Sequence, residues 1–393
     1  NISMQHQIII PEEYAHEHYP THLSIFNEID NPSEVEWSTI LYILHGDPGS
    51  ECNRNILNGD CLDSIPTDWI PYINNQSCQI IINTSSESWG PLYNDDRRNN
   101  DEKIDLHYIL TQKALTLGIN YDMITWVTGD LNAEKYLQHY DGVKVKSYCT
   151  FFFQAMNAEN LLDFSAVDFL DIDEDTFNTI ALCLMRDTAK EHRLYTIDKI
   201  YNDNLSAYIT TTTPRILNDN TVCDNFKHHY FYYKDSVVPY DWDSFRSNIL
   251  NHYTYAPHTV PDDDIALAIH RSLFSLVSES DCQSGKMFIT YTTFRAILSM
   301  RPFVILGNQG ILRQLKQWGF KTYDSIVDES YDDEPDMYRR VSSAIDSVVS
   351  HKLQDLSMLE RFDSIKDIAK YNYNHFMNTY AAMHDEYLNL FNR

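Results

Sequence analysis

The segment LMRDTAKEHRLYTIDKIY gathers residue types that bind phosphate: Arg186 closes an apolar strand, and His192-Arg193 open the helix after it. A guanidinium presents a planar fork of N–H donors that matches diphosphate oxygens. The same residues equally fit a charged surface helix with partners in its own turns. A second candidate is the turn Gly307-Asn308-Gln309-Gly310 in FVILGNQGILRQL. It is neither GxGxxG nor a Walker loop, and by itself reads as a plain βα turn. A helix starting at about Ile311 would point its free N–H groups from that turn into a cleft, where they could meet an anion.

Carboxylates are abundant. Asp171 and Asp173 in DFLDIDED form a DxD that could hold a cation on a nucleotide diphosphate. The chain from Thr176 reads as helical, which favours helix capping instead. Asp262-Asp263-Asp264 and Asp332-Asp333 are read in the same way. His16-Glu17-His18 and His228-His229 lack the spacing of helical ligand pairs, so a metal site is not expected. No Gly-x-Ser-x-Gly elbow supports a serine hydrolase. The Tyr-rich run from Tyr230 to Tyr240 could stack on a sugar or base, but a packed hairpin or loop is the favoured reading.

Apolar strands alternating with helical segments must position these groups. Ser38–Asp47 and Cys78–Ser88 read as buried strands entering polar loops, and Leu106–Ile119 as a helix stopped by Gly118. Tyr121–Tyr140 reads as strand, Gly129-Asp130 turn and helix. A second series follows, with a strand at Ile180–Asp187, a helix at Glu191–Asn204, β-rich Leu205–Thr213, a strand at Arg301–Asn308 and a helical tail from Pro335. The expectation is an α/β protein of two wound halves, residues 1–177 and 178–345, with C-terminal helices over 346–393 that strap the halves together. Ligands of such folds bind beyond the carboxyl ends of the strands.

Composition narrows the class. The chain of 393 residues is long for a single core, and 43% hydrophobic residues supply ample interior. A formal net charge of −27 disfavours long duplex DNA as a partner, since a phosphate backbone repels an acidic surface. No apolar run approaches the roughly 20 residues that span a bilayer, and no secretory leader pattern opens the chain, so no membrane partner is expected. The seven cysteines are odd in number and lack CxxC spacing, which argues against zinc and disulfides and for a reducing, cytoplasmic setting.

Several of these segments carry a family resemblance. LCLMRDTAKEHRLYTIDKIYNDN resembles the FLxLNRxxRxHR segment of glycosyltransferase-like proteins of bacteriophages and marine viruses. LFSLVSES, FITYTTFRAILSMRPFVILGNQG and GFKTYDSIVDESYDD are similar to that family's FSxVTET, FITEKTxKPI…PFIxxGxxG and GFKTF…DESYD blocks. YNYNHFMN resembles its terminal HNxxHF, and MITWVTGDLNAEKY its YxTGNxN turn. The match runs from roughly Asp122 to Asn378. These proteins in turn look like distant relatives of fucosyltransferases of the GT-B type.

The resemblance implies two Rossmann-like domains facing a central cleft, with a nucleotide-sugar donor on the C-terminal half and the acceptor on the N-terminal half. It implies that Arg186, His192 and Arg193 lie beside the donor diphosphate and that Glu279 suits ribose hydroxyls. Thr290, Tyr291, Thr292 and Thr293 fall on the T-E-K-T stretch, joined on the donor side by Gly307, Asn308 and Gly310. This chain departs from the pattern: Tyr291-Thr292 replaces Glu-Lys, and Met185-Arg186 replaces Asn-Arg. The general base for an acceptor hydroxyl is sought among acids of strand-end loops, with Glu87 first and Asp130 second. The expected activity is metal-independent sugar transfer to a glycan, a protein or a modified nucleobase, in an infected host's cytoplasm if the chain is of phage origin. The alternative is an inactive relative that binds or scaffolds.

Overall fold

The computed structural model describes residues 55–86, 105–152, 155, 169–177, 179–185, 191–203, 205 and 265–389, with strand residues 7–9, 27–28, 40–45, 207–210, 230–233 and 236–239. The chain divides into two compact units. Unit 1 is Asn1–Thr150 with Lys286–Phe288 and His384–Arg393; unit 2 is Phe151–Gly285 with Ile289–Met383.

Unit 1 is built on a six-stranded sheet with strand order β2-β1-β3-β4-β5-β6. The strands are β1 (Gln7–Ile9), β2 (Asn27–Glu28), β3 (Ile40–His45), β4 (Cys78–Thr84), β5 (Ile124–Thr128) and β6 (Lys144–Ser147), and every pairing is parallel. All seven residues of β4 are buried, as both faces of a covered parallel strand require. Described helices that accompany the sheet include α1 (Ile70–Asn74), α2 (Leu106–Leu117) and α3 (Ala133–Leu137). In α2 the buried residues Leu106, Leu110, Thr111 and Ala114 lie on one stripe. Asp105 caps its start by accepting the Tyr108 N–H, and Gly118 ends it at φ 72°, a left-handed conformation that glycine adopts without a Cβ penalty. Trp126 is fully buried and donates its indole N–H to Thr84 Oγ1 at 2.8 Å.

Unit 2 holds a four-stranded parallel sheet in the order β12-β11-β7-β8. Its strands are β7 (Thr179–Leu184), β8 (Ala207–Thr210), β11 (Ser272–Ser278) and β12 (Phe303–Leu306). The Tyr-rich run contributes an antiparallel pair, β9 (Tyr230–Tyr233) with β10 (Ser236–Pro239). Described helices of this part of the chain are α4 (Glu191–Asn202), α5 (Ile265–His270), α6 (Tyr291–Leu298), α7 (Ile311–Gln317), α8 (Met337–Val349), α9 (Met358–Asp363) and α10 (Lys366–Asn389), the last of which runs on into the residues of unit 1 from His384. The strand order places β8 on one side of β7 and β11 with β12 on the other. The winding therefore reverses between β7 and β11, the position where open α/β sheets form a crevice at their carboxyl ends.

Two sequence expectations are corrected. The chain at Thr176 does not start a helix. Asp173 Oδ1 accepts the Thr176 hydroxyl at 2.7 Å and the Asp175 N–H at 3.1 Å, closing a turn before β7. The second correction concerns α7, described below. Cys61, Cys78, Cys149, Cys183 and Cys282 are buried free thiols. Burial pushes the thiols of Cys78 and Cys183 up to about 12, so both stay protonated and unreactive.

Two side-chain devices stiffen unit 2. Arg301 is wholly buried and donates to the carbonyls of Phe169, Ile269 and His270 at 2.9 to 3.1 Å, with the rings of Phe169, Phe177 and Phe362 against its guanidinium. Burial pulls its pKa down to about 9. At the other end, the terminal YNYNHFMN segment staples the loop after α7. Asn372 exchanges two bonds of 2.8 Å with the Lys321 backbone, and His375 Nε2 meets the Trp318 carbonyl at 2.7 Å.

Candidate site at the carboxyl ends of β7, β11 and β12

α4 begins just beyond β7 and carries His192 and Arg193, both buried. His192 Nε2 lies 2.8 Å from the Glu279 carbonyl; because a carbonyl only accepts, Nε2 carries the proton. Arg193 Nη2 donates to the carbonyls of Ser278 and Glu279, each at 3.3 Å. The opening residues of α4 are thus tied to the end of β11. Arg186 lies outside the described residues.

Glu279 is the first residue beyond β11 and has no exposed surface. Its carboxylate accepts the Thr290 backbone N–H, at 3.1 Å to Oε1 and 3.2 Å to Oε2. Oε1 also takes the Thr293 hydroxyl, and Oε2 the Ser280 N–H at 3.3 Å. Burial raises the Glu279 pKa, an effect that the bonds from Thr290 and Thr293 oppose. Thr290 is the N-cap of α6 and accepts the Thr292 N–H on its own hydroxyl. Tyr291 and Thr292 are partly exposed on the first turn of that helix, and the Arg295 guanidinium lies 5.3 Å from the Tyr291 ring centroid.

Gly307 closes β12 beside Glu279. A Cβ there would come within 2.8 Å of Ile311 Cδ1 and 3.3 Å of Glu279 Cγ, so a larger residue would require the Ile311 side chain to shift. Asn308 is buried and donates its amide to Asp281 Oδ1 at 3.1 Å and to the Gln283 carbonyl at 2.8 Å. Gly310, at φ 84°, turns the chain into α7.

The expected anion-binding end of α7 is occupied from within. Asp332 accepts the Leu312 N–H on Oδ1 at 3.0 Å and the Arg313 N–H on Oδ2 at 3.1 Å, while the Gly310 N–H goes to the Asp332 carbonyl. The Ile311 N–H goes to Asn308. The amides that the sequence reading left open are therefore satisfied by an acid twenty residues downstream. Within DESYDD, Asp332 caps the helix that precedes it in sequence, whereas Asp328 caps the 3-10 turn that follows by accepting the Ser330 N–H.

His192, Arg193, Glu279, Thr290, Thr293 and Gly307 thus form one continuous cluster in unit 2. Arg340 and Asp281 extend it, and the sequence reading passed over both. Arg340 is buried and donates Nε to the Gly307 carbonyl at 2.9 Å, with further bonds to the Cys282, Glu334 and Pro335 carbonyls. Its only sequence signal is an arginine on the otherwise apolar stripe of α8. Arg295 was likewise overlooked, although its i+4 spacing from Tyr291 puts the two on one helix face.

The two proposed bases fare differently. Glu87 lies outside the described residues. Asp130, in the turn after β5, is buried, and its Oδ1 accepts the Asn132 N–H at 3.0 Å and the Met287 N–H at 3.1 Å. The Leu131 N–H answers with a 2.8 Å bond to the Met287 carbonyl. Among the described residues no group of three or more His, Cys, Asp or Glu side chains could hold a metal ion. His16, Glu17, His18, His228, His229 and Asp262 to Asp264 lie outside them. No described helix is long and apolar enough to cross a membrane.

No protein-family model matches this chain, and no curated protein matches it by sequence. Among solved structures, it is similar to an α1,3-fucosyltransferase at 10% identity and a TM-score of 0.40, over 94% of this chain and 91% of the other. It is also similar to the N-terminal domain of a Candida albicans trehalose-6-phosphate phosphatase, at 9% identity and a TM-score of 0.37, over 96% and 98%.

Proposed function

We propose that the protein is a glycosyltransferase that moves a sugar from a nucleotide-sugar to an acceptor hydroxyl without a metal. One observation carries the reading. His192, Arg193, Glu279 and Thr290, four of the residues expected at the donor, are joined by hydrogen bonds at the carboxyl ends of β7 and β11, beside the point where the parallel winding reverses. Open α/β sheets bind nucleotides there.

In the proposed reaction the bond between the sugar's anomeric carbon and the diphosphate oxygen breaks, and its electron pair leaves with the diphosphate. The guanidinium of Arg193 and the imidazole of His192 favour that negative charge electrostatically. The acceptor oxygen forms the new bond to the anomeric carbon, and its proton passes to a carboxylate, assigned here to Glu87. A glycan, a protein or a modified nucleobase could each offer that hydroxyl.

A second reading, an inactive binding protein on the same scaffold, has its own support. Tyr291-Thr292 lacks the acid–cation pair of the resembling family, and Asp332 occupies the α7 amides. A thermal-shift screen against nucleoside diphosphates and nucleotide-sugars separates the two. A donor at a hundredfold excess over Kd adds about 2.7 kcal/mol of stability. A shift that is reduced in Arg193→Ala and followed by donor hydrolysis supports transfer. A shift without hydrolysis supports the inactive reading, and no shift with any nucleotide removes the donor site.

A further inference from the structure

We infer that Glu279 is a positioning residue, which fixes the first turn of α6 and does not itself touch ribose. This rests on the donor-site reading above and changes the role that the family resemblance implies for the residue. Three observations carry it. Glu279 has no exposed surface, so no ligand atom reaches its carboxylate in this arrangement. Both of its oxygens are engaged by protein donors: the Thr290 N–H spans the two, Thr293 adds its hydroxyl to Oε1, and Ser280 its N–H to Oε2. Finally, Thr290 and Thr293 bracket Tyr291 and Thr292, the partly exposed residues of the turn.

The geometry gives the carboxylate a mechanical role. A helix start carries backbone N–H groups without intrahelical partners, and an N-cap satisfies only some of them. Glu279 reaches from the end of β11 to the N-cap amide and to the hydroxyl one turn further on. It thereby locks the α6 start to the sheet in rotation as well as position. Tyr291 and Thr292 are then held in a fixed orientation on the first turn, while the carboxyl group that holds them stays buried.

The test uses the full chain and four ribonucleoside diphosphates, ADP, CDP, GDP and UDP, each compared with its 2′,3′-dideoxy form by calorimetry. Thr293→Val removes the hydroxyl that bonds to Glu279 while leaving Glu279 and the ribose in place. It should weaken the bound ribonucleotide roughly tenfold, the equivalent of one lost charge-assisted bond, and Thr293→Ser should restore it. Glu279→Gln should weaken ribo and dideoxy forms by the same factor, leaving their ratio unchanged. A ratio that collapses to one in Glu279→Gln would mean direct ribose contact and overturn the inference. Backbone hydrogen exchange over residues 289–293 supplies a second readout that needs no ligand. Faster exchange in Thr293→Val and Glu279→Gln supports the positioning role, and unchanged exchange overturns it. If the wild-type chain binds none of the four nucleotides, the donor-site reading fails by itself, and the exchange result still decides the role of Glu279.

Discussion

The Asp332 carboxylate receives the Leu312 N–H at 3.0 Å, although the two residues stand twenty positions apart. With its companion bond to Arg313, it closes the start of α7 against any anion. Asp332→Ala should destabilise unit 2 by about 1–2 kcal/mol, the usual loss for a helix cap, as a lower urea midpoint. It should also create new sulfate-dependent stabilisation, because the freed amides regain an anion site. A variant as stable as the wild type would show that the cap contributes nothing.

The pH dependence of stability follows from Glu279. Burial raises its pKa in the folded chain above the ordinary value of about 4.3. The folded chain therefore holds the Glu279 proton more tightly than the unfolded chain does. Its contribution is fully present below the unfolded pKa and is lost as pH rises through the folded one. Glu279→Gln lacks this titration. The wild type should therefore lose stability relative to Glu279→Gln as pH rises from 4.5 to 7.5, measured by urea unfolding at each pH. Parallel curves would refute the assignment.

Arg301 is fully buried, and its guanidinium donates to the carbonyls of Phe169, Ile269 and His270. Lysine keeps the charge but cannot reproduce the planar fork. Arg301→Lys should cost about 3 kcal/mol, within the range for breaking a buried charged network. Equilibrium unfolding that shows less than 1 kcal/mol would mean that the ring contacts, rather than the hydrogen bonds, hold the residue.

For Glu87 the prediction is kinetic. If it is the general base, Glu87→Ala should leave donor binding intact and slow transfer by about 10²–10⁴-fold. Equal losses in binding and turnover would make it a ligand contact instead.

Much of this fold is legible in the sequence because its strands are short apolar runs closed by polar turns. CQIIINT and FVIL mark β4 and β12 directly, and Gly118 marks the end of α2. The convergence of His192, Arg193, Glu279 and Thr290 was legible through motif resemblance. Their hydrogen bonds were not, because they join residues 11 to 87 positions apart. Local reasoning failed for the acids. Asp173 and Asp332 look alike in sequence, yet one closes a turn ahead of a strand and the other caps a helix already made. Arg340 escaped notice for a related reason: its partners are backbone carbonyls, which leave no trace in side-chain patterns.

The clasp between Asp130 and Met287 bears on how this chain can be dissected. Residues 286–288 belong with unit 1, so that unit is discontinuous in sequence. A fragment severed after Thr150 would keep the Asp130 carboxylate and lose the Met287 amide that faces it. No single cut yields an intact N-terminal piece, and a half-length recombinant fragment would keep the Asn132 N–H on the Asp130 carboxylate but lose the bond from Met287. Excision experiments need a fragment that retains both the 286–288 peptide and the residues from His384, supplied in trans or grafted through short linkers.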